Sequence, residues 1–190
     1  MNHMTLCVYG AASDKIDSAF TAESEKLGEE IARRGHRIIY GGGGSGVMGA
    51  CSRGAARAGG EVIGVVPYFM DEFERINQNC TQIIRTDTMS ERKDVMESHA
   101  DAFIIAPGGI GTFDEFFQIL TLVELGQKSA PIAICNINGY YDDLLTFMDA
   151  CTRKGFIRER AMTLFRVCGS ARETVDAVEE MYHSMQQNRS

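Results

Sequence analysis

Asp101-Ala-Phe-Ile-Ile-Ala-Pro-Gly-Gly-Ile-Gly-Thr-Phe-Asp-Glu-Phe-Phe117 is the stretch whose reading decides the fold. Ala102 to Ala106 is a short apolar run that reads as a buried strand, and Pro107 stops it. Gly108, Gly109 and Gly111 supply a turn whose backbone can approach a ligand closely. Thr112, Asp114 and Glu115 follow, in the first turn of an apolar-periodic helix over about residues 111–126. A strand, a glycine turn and a helix start together make an anion site, because free backbone N–H groups and the helix dipole both face the turn. An anion held there lies close to Glu115.

The same alternation runs outward in both directions. Residues 4–10 read as a strand, and a helix follows to about Arg34, closed by Gly35. Arg37 to Tyr40 is a second strand, and the glycine cluster Gly41 to Gly49 leads into a small-residue helix ending near Ala58. Glu61 to Val66 is a strand stopped by Pro67, residues 67–79 are a polar and aromatic loop, and Thr81 to Arg85 is a fourth strand. Thr88-Met-Ser-Glu91 has capping-box spacing and starts a helix to about His99. Beyond the opening stretch come a strand at Pro131 to Cys135, a helix at Tyr140 to Arg153, a short strand at Leu164 to Val167 and an amphipathic helix at Arg172 to Gln187. The strands are continuous apolar runs rather than alternating ones. That pattern predicts one doubly wound α/β domain over residues 1–190, its mostly parallel sheet flanked by helices. Both glycine clusters fall at carboxyl ends of strands, where such folds bind ligands, so one shared pocket is expected.

The totals narrow the function classes. The chain has 190 residues, 44% hydrophobic and 24% charged, in the range of a soluble globular domain. A formal charge of −7 without any basic run argues against a nucleic-acid polymer or a membrane surface as partner. Six scattered cysteines with no Cys-x-x-Cys pair read as reduced core thiols. Met1-Asn-His-Met4 opens no signal segment, and no stretch approaches the ~20 apolar residues of a membrane span. The expected location is the cytoplasm.

Gly44-Ser-Gly-Val-Met-Gly49 fits the spacing G-x-G-x-x-G. It follows the second strand rather than the first, and no acidic residue ends a strand about twenty residues on, which disfavours a dinucleotide site. A close backbone approach to a phosphate or sugar, or tight packing of a helix on the sheet, both remain open for it. The cluster at Gly108, Gly109, Ile110, Gly111 and Thr112 suits a monophosphate, with backbone amides and the Thr112 hydroxyl as donors. It lacks the Lys of a Walker loop. Glu115 has two readings, stabilisation of a helix start by its charge and catalysis. Arg92 and Lys93 open the preceding helix, where the dipole mildly disfavours cations. They are candidates to meet the same anion, and Arg92 to order Glu115 through a bidentate pair. His3, His36, His99 and His183 show no metal-ligand spacing, and no Ser-His-Asp arrangement or nucleophile elbow is visible.

Pro107-Gly-Gly-Ile-Gly-Thr-Phe-Asp-Glu115 resembles the PGGxGTxxE motif of the Lonely Guy (LOG) family, cytokinin riboside 5′-monophosphate phosphoribohydrolases long labelled possible lysine decarboxylases. Met89-Ser-Glu-Arg-Lys93 is similar to the family's second signature, and Tyr40-Gly-Gly-Gly, Val47-Met-Gly49, Gly60 to Pro67, Leu125-Gly126 and Asn138-Gly-Tyr-Tyr141 add to it. The resemblance covers about residues 4–165. It implies a Rossmann-like homodimer that hydrolyses the N-glycosidic bond of an adenine nucleotide 5′-monophosphate. Carried over by position, Gly109 to Thr112 hold the 5′-phosphate, Glu115 and Arg92 form the catalytic pair, and Glu74, Lys93, Asp114 and Thr121 line the substrate site. No cofactor is implied, and nothing in the chain resembles a pyridoxal-phosphate lysine site.

Two departures bear on the substrate. Tyr9-Gly-Ala-Ala12 stands where the family usually has Cys-Gly-Ser-Ser, and the serine of the Gly-Gly-Gly-Ser loop is displaced by one to Ser45. The expectation is a phosphoribohydrolase acting on AMP or an N6-substituted AMP. The competing readings are a nucleotide-binding or carrier protein on the same fold, and a dinucleotide-dependent oxidoreductase.

Overall fold

The computed structural model describes residues 3–72 and 76–187. Seven strands form one sheet: β1 (Thr5–Tyr9), β2 (Arg37–Tyr40), β3 (Val62–Pro67), β4 (Gln82–Thr86), β5 (Ala102–Ile105), β6 (Ile132–Cys135) and β7 (Arg166–Cys168). Their order is β4-β3-β2-β1-β5-β6-β7, and every pair is parallel. Six helices connect them: α1 (Ser18–Arg33), α2 (Gly46–Arg57), α3 (Met89–His99), α4 (Ile110–Glu124), α5 (Asp142–Arg153) and α6 (Ala171–Gln187). The order runs outward both ways from β1, so the chain is a Rossmann-like doubly wound α/β fold whose switch point lies between β1 and β5.

Strands buried on both faces must be apolar at every position, and β1, β5 and β6 are buried throughout. Leu6 and Val8 pack with Leu27, Ile31, Val47 and Val175 under α1, α2 and α6. Cys7 and Tyr9 face the other way and pack with Met96, Phe116, Ile119 and Met148 under α3, α4 and α5. Burying Phe116 and Ile119 contributes about 2 kcal/mol each and fixes α4 over the end of β1. On the opposite face α1 and α2 approach through glycines: a Cβ at Gly28 would collide with the Cys51 carbonyl, and one at Gly54 with the Glu25 carbonyl. Arg34, braced by Glu30 of α1, ties α6 down through Asp176 and Glu179, and the buried His36 ring contacts Glu179 at 2.9 Å. All six cysteines are free, four of them buried. No helix among the described residues is long and apolar enough to cross a membrane.

Boundaries differ from the sequence reading in places that matter. Gly109 is the N-cap of α4, so the helix begins at Ile110 and its first turn holds no acid. Asp114 and Glu115 therefore sit in the second turn, where the dipole has largely faded. At α3, Thr88 Oγ1 accepts from the Glu91 amide as the capping box requires, while Glu91 Oε2 accepts from the Asp87 amide rather than from that of Thr88. A 3-10 turn at Tyr68–Glu72 follows β3 and another at Glu159–Thr163 precedes β7, in stretches whose sequence carries no helical period.

Candidate active site

The carboxyl end of the β1–β5 crevice opens into a cleft of ≈ 360 Å³. Its polar wall comes from Arg92, Gly109, Gly111, Thr112 and Glu115, and its apolar wall includes Ala11, Ala12, Met48 and Met70. Two helix N-termini point toward this region, and they differ. At α2 the Met48 amide donates to the Ala11 carbonyl at 3.1 Å, and a Cβ at Gly46 would strike the Ala11 and Ser13 carbonyls. The loop at Ala11 to Ser13 thus takes the Met48 amide and packs tightly on Gly46, a close approach that only a glycine at 46 allows. At α4 no side chain caps the helix, and a Cβ at Gly109 or Gly111 would meet nothing within 4 Å. The amides of Ile110, Gly111 and Thr112 thus stand at an open N-terminus. Gly108 has a different reason: a Cβ there would run into the Thr112 side chain, so the glycine lets buried Thr112 close the turn.

Arg92 is a buried guanidinium with a built seat. Its Nε donates to the Val65 carbonyl at 3.2 Å, and a Cβ at Gly41 would fall on the guanidinium itself. Sequence reasoning saw Gly41 only as part of a glycine run, because the partner lies 51 residues away in the chain. One guanidinium nitrogen of Arg92 stands 3.9 Å from Glu115 Oε1. That is a charge contact, not the bidentate pair the sequence reading entertained: the Val65 carbonyl and Gly41 hold the fork out of register with the carboxylate.

Glu115 is 8% exposed and accepts no hydrogen bond from a described residue. Burial pushes its carboxyl up to about 7 from an ordinary value near 4.5. Arg92 and then Lys93 pull it back down, while Asp114 and Glu97 push it further up. A buried acid in the second turn, its carboxyl pushed up by desolvation, gains little from the dipole, which argues against the helix-stabilising reading of this residue.

The remaining sequence candidates among the described residues fall into three groups. Lys93 and Asp114 pair with each other at 2.9 Å on the rim, and neither lines the cleft. Gly108 and Gly109 line a neighbouring apolar hollow with Phe20, Val47 and Tyr140, whose hydroxyl donates to the Gly108 carbonyl at 2.7 Å; the Ile110 side chain is exposed. Thr121 is not brought to the cleft. It donates to the Phe117 carbonyl and lines a separate hollow with Leu125, Phe156 and Arg158, because six residues beyond Glu115 the helix has turned its face away. Glu74 lies outside the described residues. Met48, Met70 and Ala11 to Ser13 line the cleft without having been singled out as site residues; apolar and small side chains carry no chemical signal in a sequence. Among the described residues no cluster of three or more His, Cys, Asp or Glu could hold a metal ion.

Comparison with known proteins gives concordant findings. The family model described as "Possible lysine decarboxylase" matches residues 48–178. The chain is 35% identical over 175 residues to the cytokinin riboside 5′-monophosphate phosphoribohydrolase LOG of Oryza sativa subsp. japonica, covering 92% of this chain and 72% of that protein. It is 33% identical over 174 residues to LOG5 of Arabidopsis thaliana, an enzyme of the same name, covering 92% and 76%. Among solved structures, the molybdenum cofactor carrier protein of Chlamydomonas reinhardtii superposes with a TM-score of 0.71 at 22% identity, over 96% of this chain and 99% of that one. The molybdenum cofactor binding protein of Rippkaea orientalis gives 0.72 at 22% identity, over 95% and 98%. At that identity the structural likeness concerns the fold alone.

The raised Glu115 carboxyl has a consequence for stability. The folded state keeps its proton up to about pH 7 while the unfolded chain loses it near 4.5, so stability falls as pH rises through that window. Glu115→Gln is expected to gain on the order of 3 kcal/mol above pH 7, with the gain vanishing below about pH 4.5. Thermal unfolding of both proteins across pH 4–9 checks this, and a pH-independent difference would contradict it.

Proposed function

The chain belongs to the Lonely Guy family, and from that premise and the geometry of the cleft we propose that it hydrolyses the N-glycosidic bond of AMP or an N6-substituted AMP. The observation that carries the reading is the spacing of an open helix N-terminus and a buried, uncapped carboxyl on one helix. Glu115 stands five residues beyond Ile110, about 7.5 Å along the axis. That is a natural span from a 5′-phosphate on the Ile110, Gly111 and Thr112 amides to the anomeric carbon C1′ of the same ribose.

In the proposed step the C1′–N9 bond breaks with its electron pair leaving on the base, and positive charge builds on C1′ and the ring oxygen. The Glu115 carboxylate stabilises that oxocarbenium-like state across a short, poorly solvated distance and takes a proton from the attacking water. The water oxygen bonds to C1′, the departing base takes up a proton from solvent, and Glu115 returns the water's proton to solvent, so the protons balance. The products are free base and ribose 5-phosphate. A carboxyl near pH 7 suits a group that must accept a proton and release it again each turnover. Arg92 holds positive charge beside the leaving group and the carboxylate from its fixed seat. Met48 and Met70 offer deformable apolar surface to a planar base or an apolar N6 substituent. Among the described residues no lysine lines the cleft, so the decarboxylase label of the family model finds no imine-forming group among them.

A homodimer is part of the same proposal. Phe117, Leu125 and Phe156 are exposed at 37, 62 and 82% around the hollow that Thr121 lines. A second copy seated on that face would cover apolar surface that a monomer leaves wet. Sedimentation at micromolar concentration is expected to return twice the mass of the chain, and Phe156→Asp to return one; a wild type that sediments as a monomer removes this part.

Incubation of the protein with AMP is expected to release adenine, read by chromatography, in the absence of added cofactor. Glu115→Gln is expected to bind AMP within a few-fold of the wild type and to lose about a thousandfold in kcat, the scale of a key electrostatic group. If AMP and isoprenyl-AMP bind but neither yields free base, the protein is a nucleotide binder or carrier and the hydrolase reading falls.

A further inference from the structure

Two groups near the contact of β1 with α4 each lack what the other supplies: Glu115 lines the cleft, and Tyr9 lies buried beside Gly10, which lines it. Tyr9 ends β1 with its ring 1% exposed and stacked on Phe103, ring centroids 6.1 Å apart. Its hydroxyl is the one fully buried side-chain polar atom, among the described residues, without a hydrogen-bond partner of ordinary geometry. Only the Cys7 thiol, two residues back on the same strand face and a weak partner at best, bears on it through a hydrogen bond. A hydroxyl buried in that state is costly to keep, and such atoms call for an explanation.

The surroundings supply one. β1 lies beneath both α3 and α4, and Tyr9 shares its packing cluster with Met96 of α3 and Phe116 of α4. The ionisable groups that bear on this region are Arg92, Lys93 and Glu97 from α3, Asp114 and Glu115 from α4, and Cys7 from β1. Only two of these are carboxyls whose charge opposes ionisation of Tyr9, Glu115 and then Glu97. Glu97 is already engaged, accepting from Gln118 Nε2 at 2.6 Å. Glu115 accepts from no described residue. An orphaned donor at the end of β1 and an unfilled acceptor on α4, next in sequence to the Phe116 that packs with Tyr9, therefore lie in adjoining parts of the fold.

We propose that Tyr9 is a positioning residue whose hydroxyl donates to the ionised Glu115 carboxylate, directly or across one bound water, when nucleotide fills the cleft. The role rests on the glycosidic-bond reading above. Tyr9 touches no reacting atom; it fixes which carboxylate oxygen faces C1′ and favours the anion that the step requires. With Arg92 held 3.9 Å away by its own seat, the phenol supplies the directional contact that the guanidinium does not.

Tyr9→Phe separates this role from a structural one. Were the hydroxyl merely unpaired, its removal would leave the pH profile alone and raise Tm. The expected result is an unchanged or higher Tm, KM for AMP within twofold and kcat about tenfold lower at neutral pH. The acid limb of kcat should also move up by roughly one unit, the scale of one hydrogen bond to a charged group. A second measurement needs no turnover: the Glu115 carboxyl, assigned by its absence in Glu115→Gln, is titrated by carbon-13 NMR with ribose 5-phosphate bound. Its midpoint should rise in Tyr9→Phe, and fall when 3-fluorotyrosine, a stronger donor of the same shape, replaces Tyr9. Midpoints that stay put in both variants overturn the proposal, whatever the activity. A midpoint that moves in a wild type and variants that never release adenine would instead overturn the hydrolase reading and leave the Tyr9–Glu115 contact standing.

Discussion

Two helix starts face the crevice between β1 and β5, and the chain packs on one of them. The Ala11 carbonyl accepts from the Met48 amide in the first turn of α2, whereas α4 begins at Ile110 after an N-cap Gly109 with no side-chain cap and open space over Gly109 and Gly111. Unpaired amides at a helix start attract an anion strongly, and a start already satisfied attracts nothing. The choice between them sets where a phosphate can sit, and with it which side chains lie a ribose away. Everything proposed for Glu115 follows from that placement.

Burial then decides what Glu115 can do. The same packing of Phe116 and Ile119 that fixes α4 on the sheet carries Glu115 inward, to a position where its charge is poorly solvated. Arg92 offsets part of that cost from 3.9 Å, held off by the Val65 carbonyl and seated in the space that Gly41 leaves. A fully paired carboxylate would be more stable and less useful, since its charge would already be spent on the guanidinium. The fold thus holds the Glu115 carboxyl above its ordinary range, beside the open start of α4.

The fold was legible in the sequence because the strands are continuous apolar runs closed by Gly or Pro, and the helices carry caps such as Thr88 or a terminating Gly35. The two 3-10 turns and the start of α4 were not, since an N-cap glycine without a side-chain signal shifts a boundary by one residue unseen. That one residue moved Asp114 and Glu115 from the first turn to the second and changed the meaning of their charge. Within the site, Gly109, Gly111, Thr112, Arg92 and Glu115 could be nominated because their chemistry is visible in their names and spacing. Thr121 shows the limit of carrying a residue over by position: its placement depends on helix phase and on which face a partner would cover. Gly41 and Tyr9 were invisible for a further reason. What matters about each is a neighbour distant in sequence, the Arg92 side chain for one and the α3–α4 floor for the other.

The placement of the phosphate is the claim on which the rest stands, and a crystal structure of Glu115→Gln with AMP bound tests it most directly. The account predicts the 5′-phosphate oxygens within about 3 Å of the Ile110, Gly111 and Thr112 amides, with C1′ beside residue 115 and the base toward Met48 and Met70. A phosphate found at the start of α2 with the Ala11 carbonyl displaced, or a ribose turned away from residue 115, would contradict it.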